Sequence, residues 1–287
     1  MLNIFIDLIP LAIMQGLILS FPTIGVMISF RLFNTADLAV EGTFTLGAAI
    51  TGACLSLNLP LYLVFLSVIV GCSIVGALNR IISHVFKIDP LLSGIIVLTM
   101  LFSLYLRIMG TSNLPLFNSP SIFSKHDGEY GDYGIAIMCV IFTLTILRLY
   151  LKTYSGLVFL AAGKNPTLCQ NYGFSPIKFG LIAGALASLC SGIGGSLMAQ
   201  YQEFSDVNMG LGILVQALAS LMIGEVLLNS TNLSHQLIAP VLGSIIYQII
   251  SALIISIGLS PTDLKFMTGI LVLSVIGVRQ RFAPMKS

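Results

Sequence analysis

The sequence predicts an all-α fold, that of a polytopic integral membrane protein. Of the 287 residues, 56% are hydrophobic and 8% are charged, and the mean hydropathy is +1.01. The apolar residues occur in uninterrupted segments long enough for a membrane-spanning helix, which needs about 20 residues. These segments lack the alternation of apolar and polar residues that marks the strands of a membrane β-barrel.

About nine helical spans account for most of the chain. We expect them at residues 8–30, 37–57, 61–83, 91–109, 134–151, 178–200, 211–228, 236–258 and 264–278. The connections between them leave almost nothing outside the bilayer. Residues 1–287 are therefore predicted to form a single transmembrane domain.

The scarcity of charge excludes several classes of protein. Soluble domains carry about 25% charged residues, whereas this chain has 13 basic and 11 acidic side chains. A soluble enzyme, a nucleic-acid-binding protein and a disordered regulator are excluded, and a net charge of +2 is too small to indicate a polyanionic partner. The cysteines form no CxxC pair and the histidines lie far apart, so we predict no metal site and no cofactor.

The basic residues predict the orientation, because Lys and Arg are enriched in the cytoplasmic loops of membrane proteins. With the N-terminus outside and the C-terminus in the cytoplasm, all of the 13 basic residues except Arg107, Lys125 and Lys265 lie on the cytoplasmic side. The opposite topology would place most of them outside, and we reject it.

The span at 37–57 is the most unusual. Asp37 and Glu41 are four residues apart and share a helix face. Gly42 loosens the helix, and a stripe of small residues follows it: Thr43, Gly47 and Thr51. Acidic groups inside a membrane are costly and normally face a cavity or a partner.

These acids lie near the cytoplasmic ends of their spans. Asp37 could instead cap its helix from the interface, whereas Glu41 lies one turn deeper and Glu225 belongs to another span. Arg31 and Arg80 are on the same side of the membrane and could form ion pairs with these acids. We favour ion pairs, structural or gating, over direct contact with a bound molecule.

Two polar segments are longer than a turn. Residues 110–133 form an external loop in which Pro, Asn, Ser and Gly allow at most short helices. This loop could cap the outer mouth, contact an extracellular partner or serve as a plain connection.

The second polar segment, 152–177, is cytoplasmic and contains a predicted short helix. Asn165 is suited to the N-cap, Pro166 to the first helical position and Gly173 to the stop. Such a helix could dock a soluble partner or rest on the lipid headgroups. Composition alone does not decide between these two roles.

The span at 178–200 is rich in small residues at helical spacing. Gly184, Ser188, Gly192 and Ser196 repeat every four residues. Stripes of this kind let helix backbones approach closely within a membrane. We favour close packing over a pore lining for this face.

Three segments carry a family resemblance. They are DLAVEGTFTLGAAITGA (37–53), AAGKNPTLCQNYGFSPIKFGLIAGALASLCSGIGGSLMAQ (161–200) and QALASLMIGEVLL (216–228). In this order and on this topology they resemble the permease subunits of bacterial ABC importers of the branched-chain amino acid and ribose type. Within that family the first and third are most similar to permeases for tryptophan or tyrosine.

The resemblance implies the membrane-spanning subunit of an ATP-driven importer in the bacterial inner membrane. It implies a permease dimer, separate ABC ATPase subunits that hydrolyse ATP, and an extracytoplasmic solute-binding protein. The chain is then no enzyme itself, in keeping with its lack of a phosphate-binding loop. The solute would be small and uncharged or zwitterionic, such as an aromatic or branched-chain amino acid.

The resemblance also assigns residues. The ATPase-coupling helix would comprise Gly163, Lys164, Asn165, Pro166, Thr167, Leu168, Cys169, Gln170, Asn171, Tyr172 and Gly173. The translocation path or its gate would include Asp37, Glu41, Gly42, Thr43, Gly47, Thr51 and Glu225. Many relatives carry an Arg and an acid before the coupling helix where this chain has AAGKNP, so its ATPase contact is expected to depend on Lys164 and Asn165.

Two alternatives from other classes stay open. A secondary transporter would use a proton or sodium gradient, with Glu41 and Glu225 as proton carriers. An intramembrane enzyme would need a nucleophile paired with a base, and no His lies within a span to serve as that base.

Overall fold

The computed structural model describes residues 2–117, 119–123, 129–228 and 232–258, with 266–267, 269–270, 273–274 and 277. Helices dominate these residues. The elements in chain order are α1 (Leu2–Val26), a π-helical turn (Met27–Leu32), α2 (Ala39–Ser56), α3 (Leu61–Phe86), α4 (Pro90–Met109), β1 (Asn113–Pro115), α5 (Glu129–Lys152), α6 (Tyr154–Lys164), α7 (Pro166–Asn171), α8 (Pro176–Gln202), β2 (Phe204–Asp206), α9 (Ile213–Leu228) and α10 (Leu233–Ser256).

Within the described residues, six helices are long and apolar enough to cross a membrane. They are Asp7–Leu32, Leu61–Phe86, Pro90–Met109, Gly131–Lys152, Pro176–Gln202 and Leu233–Ser256. Helices α2 and α9 are shorter, at 18 and 16 residues. The predicted span at 264–278 lies largely outside the described residues. The helical, polytopic fold is thus confirmed, whereas the count of nine spans and the orientation of the termini stay predictions.

Helix α8 is central to the bundle and packs on α1, α2 and α3. The contacts are backbone to backbone: a Cβ added to Gly47 of α2 would overlap the carbonyl oxygen of Gly192, and one added to Gly76 of α3 would overlap that of Gly184. Van der Waals packing of this kind holds helices together in lipid. The packing role of the small residues in α8 is confirmed.

The segment 110–133, predicted to be external, contains a strand that the sequence does not predict. Strand β1 pairs antiparallel with β2, with Leu114 opposite Ser205, and helix α5 already begins at Glu129. The expectation of a loop with at most short helices is therefore wrong. A strand of three residues is stabilised by its partner, and here that partner lies about 90 residues away in the sequence. Positions 118 and 124–128 lie outside the described residues.

Candidate functional site

Helix α7 forms the predicted short helix of the loop at 152–177, and its ends are as expected. The Asn165 side-chain oxygen accepts hydrogen bonds from the Leu168 backbone N–H at 3.0 Å and from the Thr167 hydroxyl at 2.7 Å. Pro166 occupies the first turn. Gly173 has a φ of 81°, in the left-handed region that favours glycine, and so ends the helix.

One side of α7 is anchored and the rest is accessible. Cys169 is buried, whereas Lys164 and the residues from Asn165 to Leu168 are exposed. Gln170, Asn171 and Tyr172 are also exposed, and Tyr172 has 74% of its surface accessible. The helix is therefore a projection at one end of the bundle that presents polar groups and large apolar side chains together.

A second helix in the same loop, α6, escapes the sequence analysis. Its Thr153 N-cap accepts a hydrogen bond from the Gly156 N–H at 3.1 Å. Phe159 of α6 is buried, with its ring centroid 5.5 Å from that of Phe33, and Gly163 abuts the backbone of Phe33. Helix α6 thus joins α7 to the segment that connects α1 and α2.

Buried polar groups surround the start of α2. Asp37 Oδ1 accepts hydrogen bonds from the Ala39 N–H at 2.9 Å and from Asn79 Nδ2 at 2.7 Å. Asp37 Oδ2 lies 3.3 Å from Arg80 Nη2, and the same nitrogen donates to the Thr35 hydroxyl at 2.6 Å. Asp37 therefore accepts from the first backbone N–H of α2 and also forms one half of an ion pair.

The guanidinium of Arg80 also lies over the ring of Phe33, 6.0 Å from its centroid. Because Phe33 contacts Phe159 and Gly163, packed contacts run without a break from α6 through Arg80 to Asp37 at the start of α2. Rigid packing of this kind can carry a displacement of α7 into the bundle.

The other two predicted acids also have partners. Glu225 Oε1 lies 3.0 Å from Arg31 Nε. Glu41 Oε1 instead accepts a hydrogen bond from the backbone N–H of Gly212, at 3.1 Å. The predicted ion pairing is confirmed for Asp37 and Glu225, whereas the Glu41 carboxylate accepts a hydrogen bond from a backbone N–H group instead. Their roles in gating stay predictions.

The depth of Glu41 differs from the expectation. The carbonyl of its neighbour Val40 accepts a hydrogen bond from Ser191, which is near the middle of α8. Glu41 therefore lies near the middle of the bundle, not at the end that carries α7. The difference arises because α2 begins at Ala39, inside the bundle, and crosses α8 at its centre.

The small residues of α2 lie in helix contacts. The Gly42 carbonyl accepts from Tyr105 Oη at 2.6 Å, and Thr51 donates to the Ser196 hydroxyl at 2.7 Å. Thr43 and Gly47 are buried against α3 and α8. Of the predicted path residues, Glu41 is the one that lines a described cavity. A path role for the others stays a prediction.

The turn of backbone at residues 207–212 divides the cavities on this side of the molecule. It is tied to Ser112 at its start, through the Val207 N–H at 3.1 Å, and to Glu41 at its end. A cavity of about 190 Å³ between α2 and α4 includes Glu41 and Tyr105. Two others, of about 490 Å³ and about 360 Å³, lie towards α1, α9 and α10. Non-helical backbone at membrane depth is tolerated where it lines a cavity.

Three glutamines line both larger cavities, and the sequence analysis overlooks them. They are Gln15 of α1, Gln216 of α9 and Gln248 of α10. Glutamine is uncharged, so a search for acidic and basic side chains passes over it. The available signal was the position of each amide inside an otherwise apolar span.

The architecture defines the class of protein. Membrane-length helices enclose cavities with polar groups at mid-depth, and a short helix projects at one end, as in a multi-pass membrane transport subunit.

A tyrosine transport system permease protein of Clostridioides difficile (strain R20291) is 35% identical, covering 91% of this chain and 88% of that protein. A galactofuranose transporter permease protein of Escherichia coli (strain K12) is 25% identical, covering 86% and 72%.

The family follows from a match over nearly the whole chain. Residues 9–276 match the family described as the permease component of the branched-chain amino acid transport system. The chain belongs to this family of ABC transporter permeases and is a multi-pass inner-membrane protein. The resemblance that three motifs indicate is thereby confirmed. No solved structure matches the chain.

Proposed function

We propose that this chain forms the translocation pathway of an ATP-driven importer for an aromatic or branched-chain amino acid. Two copies would pair as a homodimer and engage two ABC ATPase subunits, and an extracytoplasmic solute-binding protein would deliver the solute. The observation that carries the proposal is α7, a capped and exposed helix joined to the bundle through α6.

The geometry of α6 and α7 suits the transfer of force. Asn165 fixes the start of α7, and Phe159 and Gly163 fix α6 against Phe33. A push on the exposed face of α7 would therefore move Phe33 and, through Arg80, the start of α2. Closure of the ATPase subunits on ATP would supply that push.

The distribution of charge supports a cytoplasmic position for α7. Contacts between Gly163 and Phe33, between Gly94 and Leu38, and between Arg80 and Asp37 bring the adjoining loops to one end of the bundle. That end carries most of the described basic residues: Arg31, Arg80, Lys87, Arg148, Lys152, Lys164 and Lys178. By the positive-inside rule, this distribution supports a cytoplasmic position for that end and an N-terminus outside.

The relatives and the cavities support an amino-acid solute. One relative is named as a tyrosine transport permease. The largest described cavity has no charged side chain in its lining, which suits a solute without net charge.

The test is co-purification of a tagged permease with its ATPase subunit. Tyr172→Ser removes an aromatic side chain from α7, and we expect it to reduce ATPase recovery at least tenfold. Tyr62→Ser is the matched control, because Tyr62 has 72% of its surface accessible, close to the value for Tyr172, and lies at the opposite end of the bundle. Equal recovery with both variants would contradict the coupling role of α7.

A second measurement separates the importer from a secondary transporter. The purified chain alone in liposomes should take up no solute under a proton or sodium gradient. Gradient-driven uptake that Glu41→Gln or Glu225→Gln abolishes would contradict the proposal.

A further inference from the structure

Three carboxamide side chains are shared by the linings of two cavities. Gln15, Gln216 and Gln248 come from three different helices, and each lines both the cavity of about 490 Å³ and that of about 360 Å³. We call these three side chains the amide cluster. Sites for small molecules typically enclose about 300–1,000 Å³, so the larger cavity can hold a solute the size of an amino acid.

The amide groups of the cluster are available to bind an occupant of the cavities. Within the part of the chain that the structure describes, none of the three amides forms a side-chain hydrogen bond, although Gln248 is only 9% exposed. Each amide offers two N–H donors and a carbonyl acceptor. An occupant of the cavities that satisfies them would therefore be stabilised.

The depth of the cluster fits a position along a transport route. At 1.5 Å per residue, Gln15 lies about 7 Å from the centre of the span Asp7–Leu32, and Gln248 about 5 Å from the centre of Leu233–Ser256. Both lie on the half of their helix nearer to β1 and β2. The smaller cavity continues from the cluster towards that end, where Phe204 and Asp206 line it.

The residues that line the larger cavity indicate which kind of solute it can bind. Among the residues that the structure describes, no charged side chain lines the larger cavity, and most of its other lining residues are apolar, such as Leu11, Val215 and Ile255. Amide carbonyls accept from an ammonium group and amide N–H groups donate to a carboxylate, so together they suit a zwitterion without favouring a net charge. The apolar wall suits an apolar or aromatic side chain.

The geometry points to the amide cluster as the intramembrane binding site for a neutral zwitterionic amino acid, whose ammonium and carboxylate groups bind Gln15, Gln216 and Gln248. This inference rests on the proposed importer function and adds to it the place and chemistry of solute contact. The uncharged amides bind the solute without the strong attraction of a fixed charge. This weaker binding suits a transport site, because the site has to release its solute.

The test uses the complete complex of permease, ATPase subunits and binding protein in proteoliposomes. The wild-type complex is assayed first with labelled tyrosine, tryptophan and leucine, and the solute that it takes up is used thereafter. Gln216→Met and Gln248→Met keep the length of the side chain and remove its donors and acceptor. We expect each to raise the KM for uptake at least tenfold while the permease still recovers its ATPase subunits at the wild-type level.

The controls separate this inference from the proposed function. Leu253→Met introduces the same side chain on α10 outside the lining of the described cavities and should leave the KM unchanged. Gln248→Asn retains an amide and should recover part of the loss. If the wild-type complex recruits no ATPase or takes up none of the three solutes, the proposed function fails. If it transports and both Met variants transport with an unchanged KM, the amide cluster is not the solute site.

Binding of another copy of the permease in the larger cavity can be tested as an alternative to the solute. If another copy of the permease fills this cavity, Val215→Cys should form a disulfide between two copies while Gln216→Met and Gln248→Met leave uptake unaltered. That pair of results would overturn the assignment. A KM raised by the Met variants, with Val215→Cys open to a small thiol reagent and protected by solute, would support it.

Discussion

The carboxylate of Asp37 lies 3.3 Å from the guanidinium of Arg80, and both side chains are buried within the helix bundle. Asp37 accepts a hydrogen bond from the first backbone N–H of α2, and Arg80 contacts the aromatic ring that α6 packs against. One ion pair thus joins the start of the helix that carries Glu41 to the segment that carries α7.

The Asp37–Arg80 pair should be important for stability. Asp37→Asn leaves a buried guanidinium without its counter-charge, which costs about 3–5 kcal/mol. We expect a clear fall in the Tm of the purified protein in detergent. Arg31→Gln breaks the more exposed pair with Glu225 and should cost about 0–1 kcal/mol.

A double variant tests whether the two charges act as a pair. Asp37→Asn combined with Arg80→Gln removes both charges, so its loss of stability should be smaller than the sum of the two single losses. Strictly additive losses would show that the two side chains contribute independently.

The contact between α2 and α8 should tolerate no side chain at its centre. Gly47→Ala introduces a Cβ that overlaps the Gly192 carbonyl, so we expect a lower yield of folded protein and a lower Tm. Gly134→Ala is the matched control, because its Cβ would have no atom within 4 Å. The control should be neutral or stabilising by up to about 1 kcal/mol, since alanine favours helix more than glycine. Similar losses for both variants would contradict the close-packing interpretation.

The Asn165 cap should influence coupling more than folding. Asn165→Ala removes the acceptor for the Leu168 N–H, and a lost N-cap costs a helix about 0.5–2 kcal/mol. In a helix of six residues this loss should fray α7, so we expect reduced ATPase recovery with an unchanged Tm. Asn165→Asp keeps the acceptor and should retain recovery. Wild-type recovery with Asn165→Ala would show that the cap is dispensable.

Glu41 should control the backbone turn at residues 207–212. Its carboxylate accepts from the Gly212 N–H, and a charged acceptor forms a hydrogen bond roughly twice as strong as a neutral one. We expect Glu41→Gln to be expressed normally with an altered initial rate of uptake, and Glu41→Ala to change that rate further. Unchanged uptake in both variants would leave Glu41 as a packing residue.

Local signals explain what the sequence predicts well. The cap, the proline and the stop of α7 lie within nine residues, and all three behave as expected. The acids in apolar spans stand out because their cost in a membrane is large, and the structure pairs two of them with the expected arginines. The small-residue stripe of α8 predicts close packing, because few other arrangements of such residues are stable in lipid.

The features that sequence analysis misses depend on partners distant in the chain. Strand β1 exists because β2 lies beside it, and Glu41 lies near mid-depth because α2 begins inside the bundle. The amide cluster draws one residue from each of α1, α9 and α10. No local pattern marks such residues, since each is a single uncharged polar group in an apolar helix.

The sequence by itself determined the class of this protein, because hydropathy and helix signals are properties of consecutive residues. It also predicted the short helix α7 and the small set of acidic residues within apolar spans. Only the tertiary structure decided which polar groups face a cavity and which lie in helix contacts. That choice depends on the rotation and crossing of whole helices, which the packing of small residues sets. Gln15, Gln216 and Gln248 therefore become a site through the fold that brings α1, α9 and α10 together.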